Sequence, residues 1–372
     1  MPAATQPRPI LNVAIIGVGE VAMTTHLPTL LLCSHLFRTL AIVDISRDAL
    51  RHCAEKFHIP NTFEDVDEML QKVPEVDVVM IMNANEYHAI HAVKCLEAGK
   101  HVFIEKPMAI SHQDAQLIDS AREHADRIVF VGYMRRYATA FLRVKEIVTS
   151  LTKGQINYVK VRDIIGQNAF FVDESGTFPR QFADFPKSAS EERRQLSKEI
   201  HSRALGDKAD SPRDIMTWAL LTGLASHDLS ALRELIGMPK SVLAATRSPS
   251  GLFLTVLFEY EGFCCHYEMG VDSVKQFDAH IEIFTQDSHI RVNYDTPYIK
   301  GLPITATVIS TKSNGDHVEE NIRPTFKDAY TLEYEAMYGA IVDGDPVKTD
   351  AKDADKDLEI FDMIMERLVD LC

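Results

Sequence analysis

The chain has 372 residues, with 39 Lys and Arg against 54 Asp and Glu, a formal net charge of −15, and 46 % hydrophobic and 25 % charged residues. That length suffices for two domains with cores of their own, and the composition is that of a globular protein. The negative balance argues against nucleic acid or an anionic membrane as the main partner, since both would repel it.

Residues 1–8 hold no apolar segment of the kind a signal peptide carries and read as a flexible lead-in. With no apolar run of membrane-spanning length, this points to a cytoplasmic protein. Val13-Ala14-Ile15-Ile16 reads as a buried strand, followed by Gly17-Val18-Gly19-Glu20-Val21-Ala22 and a helix with Met23, Leu27, Leu30 and Leu31 at its apolar positions. The first glycine permits a tight turn, the second lets the backbone approach a pyrophosphate, and the small Ala22 lets the helix pack on the strand. The helix start then offers free N–H groups to phosphate. Leu40-Ala41-Ile42-Val43 ends in Asp44, 22 residues after Ala22, where a carboxylate would accept hydrogen bonds from an adenosine ribose. The spacing predicts a dinucleotide site built on Gly17, Gly19, Glu20, Val21 and Asp44. Asp44 favours NAD over NADP, and Arg47 can soften that preference by pairing with a 2′-phosphate.

A helix over 46–57 starts at the cap Ser46, Pro60 interrupts, and Phe63-Glu64-Asp65 leads into a short acidic helix. A buried strand over 76–82 precedes a helix over 86–97 with Ile90, Val93 and Leu96 on one face, stopped by Gly99. A strand over 101–104 runs into Glu105-Lys106-Pro107. A helix capped by Ser111 and a strand over 128–131 follow. This alternation predicts a parallel sheet wrapped by helices on both faces, forming a first domain over 1–133. Ends of parallel strands are where such sheets bind ligands. A partly buried ammonium there loses its charge readily, which makes Lys106 a candidate acid/base. Read alone, Glu105-Lys106-Pro107 is also a common surface turn.

The second part, 134–372, has a different texture. A helix over 138–150 precedes a strand that alternates through Val159, Val161 and Asp163. Residues 166–213 form a polar stretch holding Phe170, Phe171, Phe178, Phe182 and Phe185. It reads as a partly ordered loop over the active site, or equally as a packing excursion or a subunit arm. A helix over 214–236 leads to strands over 241–246, 253–260, 263–270, 279–285, 289–294 and 305–310, with Glu261-Gly262 as a tight hairpin. Helices over 328–342 and 354–370 close the chain. The expected fold class is α/β: a Rossmann dinucleotide-binding domain, then an α+β domain with a large, mostly antiparallel open sheet. Helices for one face only, with Phe253 and Phe258 along the strands, predict an apolar face that further copies cover in a homodimer or homotetramer. The cysteines at 33, 53, 95, 264, 265 and 372 show no C-x-x-C spacing, so free thiols in a reducing compartment are expected and no metal site is suggested.

The glycine motif, the strand ending in Glu-Lys-Pro and the antiparallel second half resemble the glucose-fructose oxidoreductase/inositol dehydrogenase/MocA family over nearly the whole chain. Asn83-Ala84-Asn85-Glu86-Tyr87-His88 fills the slot that reads T-P-N-x-x-H in that family. Gly132-Tyr133-Met134-Arg135-Arg136-Tyr137 fits its domain-crossing motif, and the segment Gly223-Leu224-Ala225-Ser226-His227-Asp228-Leu229-Ser230 fits its active-site helix. The resemblance implies an NAD(P)-dependent oxidoreductase acting on secondary alcohols of sugars, cyclitols or related polyols, with association through the second-domain sheet. It implies Lys106 and His227 as catalytic groups, and Asn83, Asn85, His88, Glu105, Lys106 and Arg136 along the cofactor. Members commonly pair the histidine with an aspartate four residues earlier; here that position is Gly223. Asp228 points about 100° away on a helix and does not take its place.

Oxidising an alcohol needs a group to take the hydroxyl proton and a site that holds the carbon against the nicotinamide. Lys106 accepts the proton directly, or polarises the oxygen while His227 accepts it. Asp163 is a candidate for substrate hydroxyls and equally a hydrogen-bonded strand-end acid. Tyr133, Arg136 and Asn168 are weaker candidates of the same kind. Two other readings stay open: a redox-neutral elimination or glycoside cleavage through transient oxidation, and a non-catalytic dinucleotide-binding regulator.

Overall fold

In a computed structural model that describes residues 8–151 and 154–371, the chain lays down two sheets. Most of the lead-in, residues 1–7, and Cys372 lie outside the described residues. The first sheet holds β1 (Leu11–Ile16), β2 (Phe37–Val43), β3 (Asn61–Phe63), β4 (Val78–Ile81), β5 (His101–Glu105) and β6 (Val129–Gly132). All are parallel, in the order β3-β2-β1-β4-β5-β6. The apolar runs of β1 and β4 are buried on both faces, as helices on each side of a parallel sheet require. The strand order reverses beside β1, so a crevice opens between the ends of β1 and β4.

The helix Arg47–Phe57 is capped by Ser46, whose hydroxyl accepts from the Ala49 amide at 3.0 Å, and His112–Ala125 is capped by Ser111. Two expected faces differ. The helix after the glycines opens with a π turn over Ala22–His26, which rotates its register and leaves Leu31 55 % exposed. The helix His88–Glu97 turns Ala89, Ala92, Cys95 and Leu96 inward, while Ile90 points to solvent and Val93 is half-buried. Its small residues let it lie between the sheet and the helix His112–Ala125.

The second sheet holds β7 (Ile156–Gly166), β8 (Ser241–Arg247), β9 (Phe253–Glu259), β10 (Cys264–Asp272), β11 (Phe277–Thr285), β12 (Ser288–Tyr294), β13 (Thr305–Thr311), β14 (His317–Ile322) and β15 (Leu368–Asp370). Their order is β14-β13-β12-β11-β7-β10-β9-β8-β15. It is mostly antiparallel, but β7 pairs parallel with β10, and β8 with β15. The sequence pattern missed β14, a largely exposed edge strand, and ran the last helix over β15; that helix spans Ala351–Arg367. The inner face buries Val159, Val161, Phe258 and Tyr267. The outer face is not the apolar surface expected. Phe253 is 36 % exposed there, whereas Phe258 faces inward, and Arg162 pairs with Glu268 (2.6 Å) and Asp278 (3.2 Å) across neighbouring strands.

The stretch 166–213 also departs from expectation. It forms helices over Asn168–Asp173 and Lys187–Leu205, then a 3-10 turn over Gly206–Asp210. The long helix buries only Ile200 and Leu205 and is laced by side-chain pairs such as Arg194–Glu191 (2.8 Å). It therefore carries no apolar period to read. Of the five phenylalanines only Phe171 is buried. The expected single helix over 214–236 is two, Pro212–Leu220 and Ser226–Ile236, joined by a π turn over Leu221–Ala225.

The two sheets share packing. Trp218 donates its indole N–H to the Ile110 carbonyl at 3.1 Å, and Tyr334, Met337 and Tyr338 of the helix Ala329–Val342 pack into the core beneath β1. We propose the division near Tyr133 on the change of sheet between β6 and β7. Cys33, Cys53, Cys95, Cys264 and Cys265 are free thiols. Among the described residues no helix is long and apolar enough to cross a membrane.

Candidate active site

The crevice begins at the glycine loop. Gly17 has φ +90°, and a Cβ there would lie 2.6 Å from the Asn83 backbone, so only glycine lets the ends of β1 and β4 approach. Around a Cβ on Gly19 nothing lies within 4 Å, which leaves an open cradle. The next helix makes its first bond from the Met23 amide to the Gly19 carbonyl (3.0 Å), so the amides before Met23 fall outside its ladder. An open cradle lined by amides fits a pyrophosphate. Asp44 is locked beside it, accepting from the Val18 amide (2.8 Å) and the Ser46 amide (2.9 Å). Glu20 is exposed and Val21 half-buried at the loop's rim.

On the other wall, Asn83 bonds His91 Nδ1 through its amide nitrogen (3.0 Å), and its buried Oδ1 has no hydrogen-bond partner among the described residues. Asn85 is half-buried in the next turn. His88 is buried and ties two loops together, with Nδ1 2.9 Å from the Pro107 carbonyl and Nε2 3.1 Å from that of Asn83. Burial holds His88 below the ordinary histidine value. Glu105 is buried too: one oxygen meets His26 Nε2 (2.9 Å) and the other accepts the Lys106 amide (3.0 Å). His26 Nδ1 lies 2.6 Å from the Tyr334 hydroxyl. This Tyr334–His26–Glu105 chain, which no sequence pattern signals, fixes the backbone in front of Lys106.

Lys106 leaves the end of β5 and reaches the other half of the molecule. Its Nζ donates to the Gly223 carbonyl at 2.6 Å, inside the π turn Leu221–Ala225. Gly223 thus contributes a backbone carbonyl at the position where the resemblance implies a carboxylate. Burial lowers the Lys106 pKa and Arg135 adds to this, while Glu105 and Asp163 oppose it. His227 follows on the same segment. Burial, then Lys106, then Arg135 drive it well below the ordinary value, so it is neutral at pH 7. Its Nδ1 has no hydrogen-bond partner among the described residues.

Behind this pair lies a cluster that sequence reasoning only half found. Asp163, fully buried on β7, meets Arg135 at 3.3 Å, and Asp228 meets the same guanidinium more closely. The Arg135 guanidinium also stacks 4.8 Å from the Tyr294 ring centroid. Burial, then the Asp163 carboxylate, push Asp228 well above the ordinary range against the pull of Arg135. Asp163 Oδ1, Asp228 Oδ2, Ser226 Oγ and the hydroxyls of Tyr267 and Tyr294 have no hydrogen-bond partner among the described residues. An open pocket of about 540 Å³ adjoins Arg135 and Tyr294; its lining does not include Lys106 or His227.

Three expected site residues sit apart from this cluster. Arg136 is taken up by Glu234 (2.6 Å), Asp353 and the Lys348 carbonyl (3.2 Å). Tyr133 is buried, under the influence of Asp357 and Arg233. Asn168 is exposed at the start of its short helix.

Sequence comparison matches residues 11–133 to the oxidoreductase family with an NAD-binding Rossmann fold. A myo-inositol 2-dehydrogenase of Thermotoga maritima is 29 % identical over 151 residues, 41 % of this chain and 44 % of that protein. The chain thus matches less than half the length of that relative. An inositol 2-dehydrogenase of Salmonella typhimurium is 25 % identical over 340 residues, 90 % of this chain and 87 % of that one. Among solved structures, a 3-ketoreductase from Actinomadura kijaniata in complex with NADP and TDP-benzene superposes with a TM-score of 0.72 at 16 % identity, covering 98 % of this chain and 99 % of that one. At that identity the likeness speaks for the fold. The Rossmann match over residues 11–133 and the inositol-dehydrogenase match running through both sheets support an oxidoreductase of the glucose-fructose oxidoreductase/inositol dehydrogenase/MocA type.

Proposed function

We propose that this protein oxidises a secondary alcohol of a cyclitol or sugar with NAD(P), and reduces the ketone in the reverse direction. Gly17, Gly19 and Asp44 would hold the dinucleotide, with Asn83 on the other wall of the crevice, and the cofactor would supply hydride acceptance. The observation that carries the reading is Lys106 at the end of β5, held 2.6 Å from the Gly223 carbonyl beside His227. As a neutral amine, Nζ keeps that bond through one N–H and uses its lone pair for the hydroxyl proton. Neutral His227 shares a hydrogen bond with the same oxygen, or passes the proton on. The unpaired oxygens of Asp163, Asp228, Tyr267 and Tyr294 favour a ligand rich in hydroxyls, because each such group needs a partner when buried. The names of the inositol dehydrogenase relatives support the same substrate class.

The test is a panel of inositols, sugars and aryl glycosides offered with NAD and with NADP, followed by the absorbance of reduced nicotinamide. Net reduction with one or more polyols is expected. Substrate conversion without net reduction would favour transient oxidation, and no conversion of any compound would favour a regulator.

Association of copies across the outer face of the second sheet belongs to the same reading. Its support is a broad, cross-strand-paired surface flanked by Phe253, Leu243 and Leu252, which are 36 %, 50 % and 38 % exposed. Sedimentation at micromolar concentration should give a particle at least twice the 41.8 kDa of one chain. A monomer would count against it.

A further inference from the structure

Residues 174–186, between the helices Asn168–Asp173 and Lys187–Leu205, lie back on the first sheet's second helix, Arg47–Phe57. The contacts follow one stripe of that helix. Lys56 donates to the Thr177 carbonyl, the Phe182 ring lies 5.7 Å from His52, and Asp184 accepts from the Asp48 amide at 3.0 Å. Positions 48, 52 and 56 are four apart and share a face. The strap therefore runs from the last turn of the helix to its start, where Asp184 also accepts from the Ser46 hydroxyl. The helix that follows, Lys187–Leu205, is held to the first sheet's helices and loops by Arg193 to Glu86 (3.1 Å) and Arg203 to Asp114 (3.1 Å).

We propose that Asp184 sets the choice of cofactor: its carboxylate takes the donors at the start of the helix Arg47–Phe57 that would otherwise hold a 2′-phosphate, and so makes the protein selective for NAD. This rests on the dinucleotide reading above. In a Rossmann sheet the side chain at the end of β2 faces the adenosine ribose. That side chain is Asp44, locked by the Val18 and Ser46 amides. The groups next to it able to grip an additional phosphate are the Ser46 hydroxyl, the Asp48 amide and Arg47. The first two already serve Asp184. Those same bonds hold the Asp184 carboxyl below its ordinary value, so it is ionised at neutral pH. Arg47 bonds Glu64 at 2.7 Å, but with its side chain 78 % exposed that pair is weak and Arg47 can turn. Asp184 therefore adds to the discrimination that Asp44 begins, its charge repelling a phosphate where the Ser46 hydroxyl and the Asp48 amide converge.

The test is direct binding of NADH and NADPH to the full chain, by calorimetry or nicotinamide fluorescence, without substrate. The unchanged protein should bind NADH at least tenfold more tightly than NADPH. Asp184→Ser should tighten NADPH at least tenfold and hold NADH within threefold, while Asp184→Glu keeps the original preference. Phe182→Ala loosens the strap without removing the charge and should leave the NADH/NADPH ratio within threefold. NADPH binding unchanged in Asp184→Ser, beside normal NADH binding, overturns this proposal alone. An equal gain in Phe182→Ala also overturns it, by assigning the effect to loosening. Binding of neither coenzyme by the unchanged protein overturns the dinucleotide reading and this proposal with it.

Discussion

Lys106→Ala should lower turnover by roughly 10²–10⁴, the range for losing a general acid/base, while NADH binding persists because the glycine loop and Asp44 are untouched. The pH profile carries the sign. Oxidation needs Lys106 neutral, so its rate should rise with pH through one ionisation lying below the ordinary lysine value, because burial and Arg135 both disfavour the ammonium. Ketone reduction needs the ammonium and should fall over the same interval. That ionisation should vanish in Lys106→Ala and persist in His227→Ala. Gly223 provides the converse change. A Cβ there meets nothing within 4 Å, so Gly223→Asp has room for a carboxylate beside Lys106. It should move the ionisation upward by roughly 1 pH unit or more and slow oxidation at pH 7. A Lys106→Ala protein with near-normal turnover would mean that the residue is structural.

Arg135→Met should be the most destabilising single change near the site. Arg135 is 3 % exposed and lies between the fully buried Asp163 and Asp228. Removing it strands two carboxylates, and breaking a buried pair in this way costs about 3–5 kcal/mol. The loss should depend on pH. Asp228 already binds its proton more tightly in the folded chain than in the unfolded one. Without Arg135 the burial that raises Asp228 is no longer opposed by a cation, and the folded state then binds the more protons. Stability of the variant therefore falls as pH rises above the unfolded carboxylate value of about 3.9. Urea midpoints at pH 5 and pH 8 should show the deficit growing with pH. Adding Asp163→Asn and Asp228→Asn should recover much of it. A deficit equal at both pH values would show that Arg135 acts through packing alone.

The first sheet was legible because its signals are local: apolar runs, caps at Ser46 and Ser111, and glycines at fixed offsets from Asp44. The second sheet was legible in its strands, but not in the parallel pairing of β7 with β10, because alternation says which face a residue takes and not which neighbour it has. The site was half legible. Arg135 and Arg136 are adjacent and chemically identical, yet the 3-10 turn Met134–Tyr137 sends them to different partners, Asp163 and Asp228 for one, Glu234 and Asp353 for the other. Nothing in the sequence says which of the two turns towards Lys106. The π turn that offers the Gly223 carbonyl leaves no trace in Leu221-Thr222-Gly223-Leu224-Ala225, and the strap bearing Asp184 is too polar to show a period.

The most direct test of the account follows the hydrogen itself. A polyol that supports turnover is labelled with deuterium at the carbinol carbon and incubated with NAD and either the unchanged protein or Lys106→Ala. The account predicts deuterium on the nicotinamide ring in equal amount to ketone formed, and loss of both in Lys106→Ala while NADH still binds. Deuterium returned to the product with no net reduced nicotinamide, or transfer at an undiminished rate in Lys106→Ala, would contradict it.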